Sequence, residues 1–150
     1  MTLGALRIIV ISIAISTVCI CMLFLGLRGI DPGDSMIMSL IFAATSFPAT
    51  TAAFLVPNLV AKTQLDKLSN NSPETGTDEK TKDQQLMQIF GTRIIVGVAL
   101  LESGAVLNAL AFFMEGHLFS LVVAAVCAGL CLVHFPTQFA YDQWREKVLR

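Results

Sequence analysis

The chain has 150 residues, of which 55% are apolar and 14% are charged, and its mean hydropathy is +0.72. An average soluble domain carries about 25% charged residues, so this composition indicates a protein whose main solvent is lipid. A net charge of -1 without a basic cluster excludes a protein that binds nucleic acid through its phosphates.

The first apolar run extends from Ile8 to Leu27 and contains 20 residues without a charge. At about 1.5 Å per residue, a helix of this length measures roughly 30 Å, the thickness of the hydrocarbon core of a bilayer. The run is longer than the core of a signal peptide and no cleavage-type sequence follows it, so we expect a retained transmembrane helix. Pro32 and Gly33 then favour a type II turn, and Asp34 or Ser35 can cap the next helix.

A proline interrupts the second apolar run, which extends from Met36 to Val60. Pro48 has no N–H, so the carbonyl of Ala44 loses its helical partner and the sequence predicts a kink near the middle of the membrane. Four hydroxyl residues surround this position and are candidates to satisfy the free carbonyl: Thr45, Ser46, Thr50 and Thr51. From 61 to 88 the chain is polar, and we expect a mobile loop because this segment has little apolar surface to bury.

The third and fourth predicted helices, 89–114 and 118–135, are separated by three residues and must form an antiparallel hairpin. Beyond Pro136, three apolar residues recur at spacings of three and four: Tyr141, Trp144 and Val148. This pattern predicts a short amphipathic helix at the level of the lipid headgroups.

The predicted fold class is therefore all-α, a single four-helix transmembrane domain over residues 1–150 that contains two antiparallel hairpins. Its helices are expected at about 8–27, 36–60, 89–114 and 118–135, with a polar loop at 61–88 and an interfacial tail at 137–150.

Basic residues predict the orientation of these helices. Nine of the ten lysines and arginines precede helix one, lie between helices two and three, or follow helix four, whereas Arg28 alone lies on the other side. We therefore expect both termini and the polar loop to face the cytoplasm, with the chain in the cell (inner) membrane.

Glu102 is the charged residue that requires an explanation, because it lies inside the third apolar run. It follows Arg93 by nine residues, which places it about 13 Å deep, near the bilayer midplane. A charge at that depth costs about 3 kcal/mol or more. We therefore expect a protonated carboxyl, a candidate ion- or proton-binding group, that donates to the carbonyl freed by Pro48 with help from Thr45 or Thr50.

Small residues surround Glu102 and predict close packing of this face against a neighbouring helix. They are Gly97, Ala99, Ser103, Gly104, Ala105 and Ala109, and Asn108 adds a polar group nearby. His134 lies at the predicted cytoplasmic boundary, where we expect it to reach water rather than to relay protons.

The four cysteines, Cys19, Cys21, Cys127 and Cys131, all lie inside apolar runs. Neither a C-x-x-C pair nor a Cys/His ligand spacing is present, so we expect small buried side chains rather than metal ligands. No catalytic residue, cofactor or metal site is predicted.

The segment from Arg93 to Ala105, with Ala99 and Glu102 at its centre, resembles the carboxylate helix of the proteolipid c subunits of rotary ATPases. This resemblance implies that Glu102 carries a proton or a sodium ion. Two features differ from that family: helix one holds a single glycine, Gly26, and Glu102 lies on the first helix of its hairpin. The whole chain more closely resembles small four-helix bacterial membrane proteins, without a characterised activity, in which an Ala-Leu-x-Glu helix precedes a hairpin ending in Phe-Pro.

Three functions follow as expectations. The first is a non-catalytic or accessory bundle in which a buried, protonated Glu102 fastens helices together, and for which the bilayer and either a second copy or other membrane subunits are the partners. The second is a component of a proton- or ion-coupled carrier or channel that uses Glu102. The third, a membrane thiol redox enzyme, is the weakest, because the cysteines are placed within the spans.

Overall fold

The computed structural model describes residues 2–28, 36–71 and 79–149, and this part of the chain is helical throughout apart from short connections. Five α-helices follow in order: α1 (Leu3–Arg28), α2 (Ile37–Asn71), α3 (Glu79–Glu115), α4 (Leu118–Cys131) and α5 (Gln138–Leu149). A short 3-10 turn, Leu132–His134, extends α4. The predicted all-α class is confirmed, while the predicted turn at Pro32–Gly33 and the cap at Asp34 or Ser35 lie outside the described residues.

Three helices, α1, α2 and α3, are long and apolar enough to cross a membrane. A fourth span results if α4 with its 3-10 turn is taken together with α5, although the chain bends by 67° between them. The bend lies at Pro136, which has no N–H to continue a helical hydrogen-bond ladder.

The segment 61–88 differs from our expectation of a loop, because α2 continues to Asn71 and α3 already begins at Glu79. Within this segment, Ala61, Leu86 and the neighbouring Ile89 are buried. The described parts of this segment, 61–71 and 79–88, are thus helical and carry buried apolar side chains. The remainder of the expected loop, 72–78, lies outside the described residues. Low mean hydropathy removed the two described parts from the predicted spans but did not prevent helix formation there.

Helix α3 is the central element, in contact with α1, α2, α4 and α5. Half of its most apolar 18-residue stretch is buried, against 11% of the corresponding stretch in α1 and 17% in α2. The outer helices instead turn large apolar side chains outward, each at least 60% exposed: Ile8, Met22, Leu27, Ile37, Phe47, Leu59, Val122 and Val133. Such a surface is stable in lipid and unstable in water.

Helix α5 folds back onto the beginning of α3. Tyr141 and Trp144 pack on Phe90, with ring centroids 5.2 and 5.5 Å apart, and Arg145 forms an ion pair of 2.7 Å with Asp83. The helix predicted for the tail is present as α5, and Tyr141, one of its three apolar residues, is buried against protein.

The beginning of α1 reaches the same end of the molecule as α5. The Arg7 side chain donates to the carbonyl of Pro136 at 3.0 Å, and Leu6 shares an apolar cluster with Tyr141. The described parts of both chain ends therefore lie together.

Candidate functional site

The polar side chains inside the apolar region are concentrated where α2 meets α3. Three levels of contact join the two helices, and we call them together the α2–α3 seam: Glu115 with Met38 and Ser39, Asn108 with Ser46, and Arg93 with Asn58. Residue numbers rise along one helix as they fall along the other, as they must in an antiparallel pair.

At one end of the seam, the carboxylate of Glu115 caps the first turn of α2. Its two oxygens accept the backbone N–H groups of Met38 at 2.8 Å and Ser39 at 2.7 Å. The first N–H groups of a helix have no partner within that helix, and a carboxylate there also complements the positive end of the helix dipole. An N-cap side chain accepts hydrogen bonds from the first N–H groups of its own helix. Glu115 accepts the same kind of hydrogen bond, but from a different helix.

The end of α3 is shaped to place this carboxylate. Gly116 has a φ of 74°, and its N–H donates to the carbonyl of Phe112 at 2.7 Å. A left-handed glycine is the usual way to stop a helix sharply. Because the chain reverses at once into α4, Glu115 is held at the last position of α3, next to the start of α2.

In the middle of the seam, Asn108 links the two helices through hydrogen bonds. Its amide nitrogen donates to the hydroxyl of Ser46 and to the carbonyl of Gly104, and Ser46 in turn donates to the carbonyl of Phe42 at 2.7 Å. Asn108 is fully buried, and its amide oxygen has no partner among the described residues. The hydrogen-bonded chain keeps the donors satisfied where water is scarce.

At the other end, the Nε of Arg93 donates to the Oδ1 of Asn58 at 2.9 Å. The amide nitrogen of Asn58 donates to the carbonyl of Phe54 at 2.8 Å, which fixes its orientation. Arg93 and Glu115 are 22 residues apart in α3, or about 33 Å at helical rise, which matches the hydrocarbon core of a bilayer.

Glycines let neighbouring helices approach α3 closely. A Cβ atom added to Gly97 would lie 2.8 Å from Cδ2 of His134 and 3.1 Å from the carbonyl oxygen of Ala53. A Cβ atom at Gly104 would meet Sγ of Cys127 at 3.6 Å, an ordinary contact. His134 therefore lies half-buried between α2 and α3, with its ring 5.0 Å from that of Phe54.

The small residues near Glu102 divide into two groups. Gly97, Gly104, Ala105 and Ala109 are buried as expected, whereas Ala99 and Ser103 are exposed. The predicted packing face is therefore narrower than the sequence suggested.

Glu102 does not belong to the seam. Its side chain is half-buried and interacts electrostatically with Cys131 of α4. Within the part of the chain that the structure describes, the Glu102 carboxyl forms no hydrogen bond, so the expected bond to the carbonyl of Ala44 is not observed there.

The residues predicted to support Glu102 form no hydrogen bond with it in the part of the chain that the structure describes. Pro48 and Thr45 are exposed on α2, where Thr45 donates to the carbonyl of Phe42 at 2.9 Å. Thr50 lies next to the thiol of Cys127, and Asn108 contacts Ser46 as described above. Helix α2 continues through Pro48 without a break in its helical assignment.

Two exposed hydroxyl groups outside the seam bond to their own helix. Thr51 donates to the carbonyl of Phe47 at 3.0 Å, and Ser103 donates to that of Ala99 at 2.8 Å. This back-bonding satisfies these polar groups without water.

The cysteines have no disulfide partner among the described residues: Cys127 and Cys131 are buried, and Cys19 is exposed on α1. Cys131 donates weakly to the carbonyl of Cys127 at 3.5 Å.

Sequence reasoning missed the contacts of Glu115 and Asn58, and it named Ser46 as a hydroxyl near the Pro48 kink rather than as a partner of Asn108. Glu115 looked ordinary because it ends an apolar run, and Asn58 because it is an uncharged residue in a long one. The available signal was the spacing of Arg93, Gly97, Gly104, Asn108 and Glu115, which recur at intervals of four and seven on one face of α3.

The chain matches none of the protein-family models, curated proteins or solved structures with which it was compared.

The substitution Gly97→Ala should destabilise the protein in detergent by about 1–3 kcal/mol, because the new methyl group overlaps the His134 ring and presses on the backbone of α2. Gly104→Ala is the matched control, and it should be neutral or stabilising by up to about 1 kcal/mol because alanine favours the helix. Thermal unfolding of both variants measures the difference. Equal stabilities for the two variants would show that α3 is not packed tightly at Gly97.

Proposed function

We propose that the chain is a multi-pass protein of the cell (inner) membrane whose role is non-catalytic: a helical bundle that serves as an accessory element for other membrane subunits or a second copy. The observation that carries this proposal is the α2–α3 seam, where polar contacts about 33 Å apart bracket an apolar stretch as thick as a bilayer core. The side chains of the seam bind the backbone and the side chains of the neighbouring helix, which is a structural role.

The apolar exterior supports membrane insertion. Large side chains point away from the protein along α1, α2 and α4, while α3 supplies most of the buried surface. In water this arrangement would expose hydrophobic patches far larger than a soluble monomer tolerates. In lipid the same exposed apolar side chains are in contact with acyl chains and carry no such penalty.

The proposed orientation places both termini and the 61–88 segment in the cytoplasm. It is supported by the distribution of basic residues and by the contacts that bring α1 and α5 to the same end. Arg93 then marks the cytoplasmic boundary, and Glu115 marks the opposite one.

A labelling experiment tests this topology. In a variant whose four native cysteines are replaced by alanine, single substitutions Lys62→Cys, Glu146→Cys and Met36→Cys are probed in sealed inner-membrane vesicles with a membrane-impermeant thiol reagent. Positions 62 and 146 should react from the cytoplasmic side and position 36 from the other side, and all three variants should remain in the pellet after alkaline extraction. Release into the alkaline supernatant, or labelling of positions 36 and 62 from the same side, would contradict the proposal.

The second candidate function is ion coupling through Glu102, as in the proteolipid c subunits that its helix resembles. The observation that favours it is the half-buried Glu102 carboxyl, which forms no hydrogen bond in the described structure. A carboxyl that is not committed to an internal acceptor is available to exchange a proton.

Reaction with a hydrophobic carbodiimide distinguishes the two functions, because this reagent attacks protonated carboxyls in apolar surroundings. Ion coupling predicts modification of Glu102 that slows at high pH or with sodium and disappears in Glu102→Gln. A purely structural Glu102 predicts a carboxyl that stays unmodified, or modification that neither pH nor sodium changes. Glu115, bound to the backbone of α2, is the internal control and should stay unmodified in either case.

A further inference from the structure

A cleft of about 280 Å³ opens beside the cytoplasmic end of the seam, between α2, α3 and the junction of α4 with α5. Its volume is near the lower end of the range for small-molecule sites, about 300–1,000 Å³. Aromatic rings of Phe54 and Phe90 form part of its wall, and Asn58, Arg93 and His134 supply its polar groups.

The polar groups of the cleft favour an anion. Arg93 uses its Nε to bind Asn58, so the two terminal nitrogens of its planar guanidinium are left without a hydrogen bond among the described residues. The His134 ring contacts the carbonyl of Leu130 through Nδ1 at 3.4 Å. The described residues that line the cleft include no aspartate or glutamate. A guanidinium oriented by one side chain, with a free edge, is well suited to a phosphate or carboxylate.

The position of the cleft favours an anion that comes from the bilayer. Arg93 immediately precedes the apolar part of α3, at the level proposed for the lipid headgroups. On one side the cleft is bounded by Val133, which is 68% exposed, and by Phe54, which is 41% exposed. A lipid can therefore lay its acyl chain along these side chains while its headgroup enters the cleft.

We propose that this cleft binds the phosphate headgroup of an anionic lipid through Arg93, with His134 as the second polar contact. Basic pockets between transmembrane helices on the cytoplasmic side are suited to such headgroups. This inference rests on the proposed membrane location and names a ligand class for one end of the seam.

The test is a titration of the purified, detergent-solubilised full chain with lyso-phosphatidylglycerol or lyso-phosphatidylcholine. Trp144 is the single tryptophan of the chain and packs on Phe90, a wall residue of the cleft, so its fluorescence reports occupancy. The anionic lipid should bind at least ten times more tightly than the zwitterionic one. Arg93→Gln should remove that preference. His134→Gln should reduce the preference about threefold, which corresponds to about 0.7 kcal/mol of binding free energy.

Lys67→Gln is the matched control, because Lys67 is a basic residue at the same end of the molecule that lines a different groove. It should leave the preference unchanged. Equal binding of the two lipids to the wild type, or an equal loss in Lys67→Gln and Arg93→Gln, would overturn the proposal. Glycerol 3-phosphate provides the third arm: if it matched the anionic lipid in affinity, the ligand would be a soluble phosphate and the assignment to a lipid would be wrong.

Failure of this proposal is distinguishable from failure of the proposed function. A chain that resists alkaline extraction and shows no lipid preference retains its membrane assignment and loses only the headgroup site. Should Arg93→Gln unfold, the wild-type comparison of the two lipids and the His134→Gln variant still decide the outcome.

Discussion

A helix that starts inside or at the edge of a membrane has several backbone N–H groups without partners, and lipid offers none. In this protein, Glu115 at the last position of α3 accepts two of them from α2. The rest of the arrangement depends on this constraint, because it fixes where α2 begins relative to where α3 ends. Once that end is fixed, the contacts of Asn108 and Arg93 fall at matching levels along the two helices.

The seam also explains why the buried surface is so unevenly distributed. A helix pair joined by hydrogen bonds can pack closely, and the missing side chain of Gly97 provides the space on α3. Helix α1, by contrast, is largely exposed and contributes mainly near Leu6 and Val10, at the end where α5 covers Phe90. Among the long helices, α3 therefore has the largest buried fraction and α1 the smallest.

The helical class and the approximate positions of the long apolar helices follow from the sequence, because run length and hydropathy depend directly on residue composition. The tail pattern of Tyr141 and Trp144 was equally readable from its spacing. The helical extensions to Asn71 and from Glu79 were not, since a polar amphipathic helix has no hydropathy signal. For the site, charge alone drew attention to Glu102, whereas Glu115 acts through its position at a helix end. The start of α2 lies next to Glu115 only in the folded arrangement of the helices, and the chemistry of the individual residues does not predict that arrangement.

The most direct test of the account is a double-mutant cycle on Ser46→Ala and Asn108→Ala, with unfolding free energies measured in detergent. If the seam joins α2 to α3 as described, the two side chains should be coupled by about 0.6 kcal/mol, the average for hydrogen bonds between membrane helices, and by no more than about 1.7 kcal/mol, the maximum. Additive effects, with no coupling beyond measurement error, would mean that Asn108 and Ser46 do not meet in the folded protein and would contradict the account.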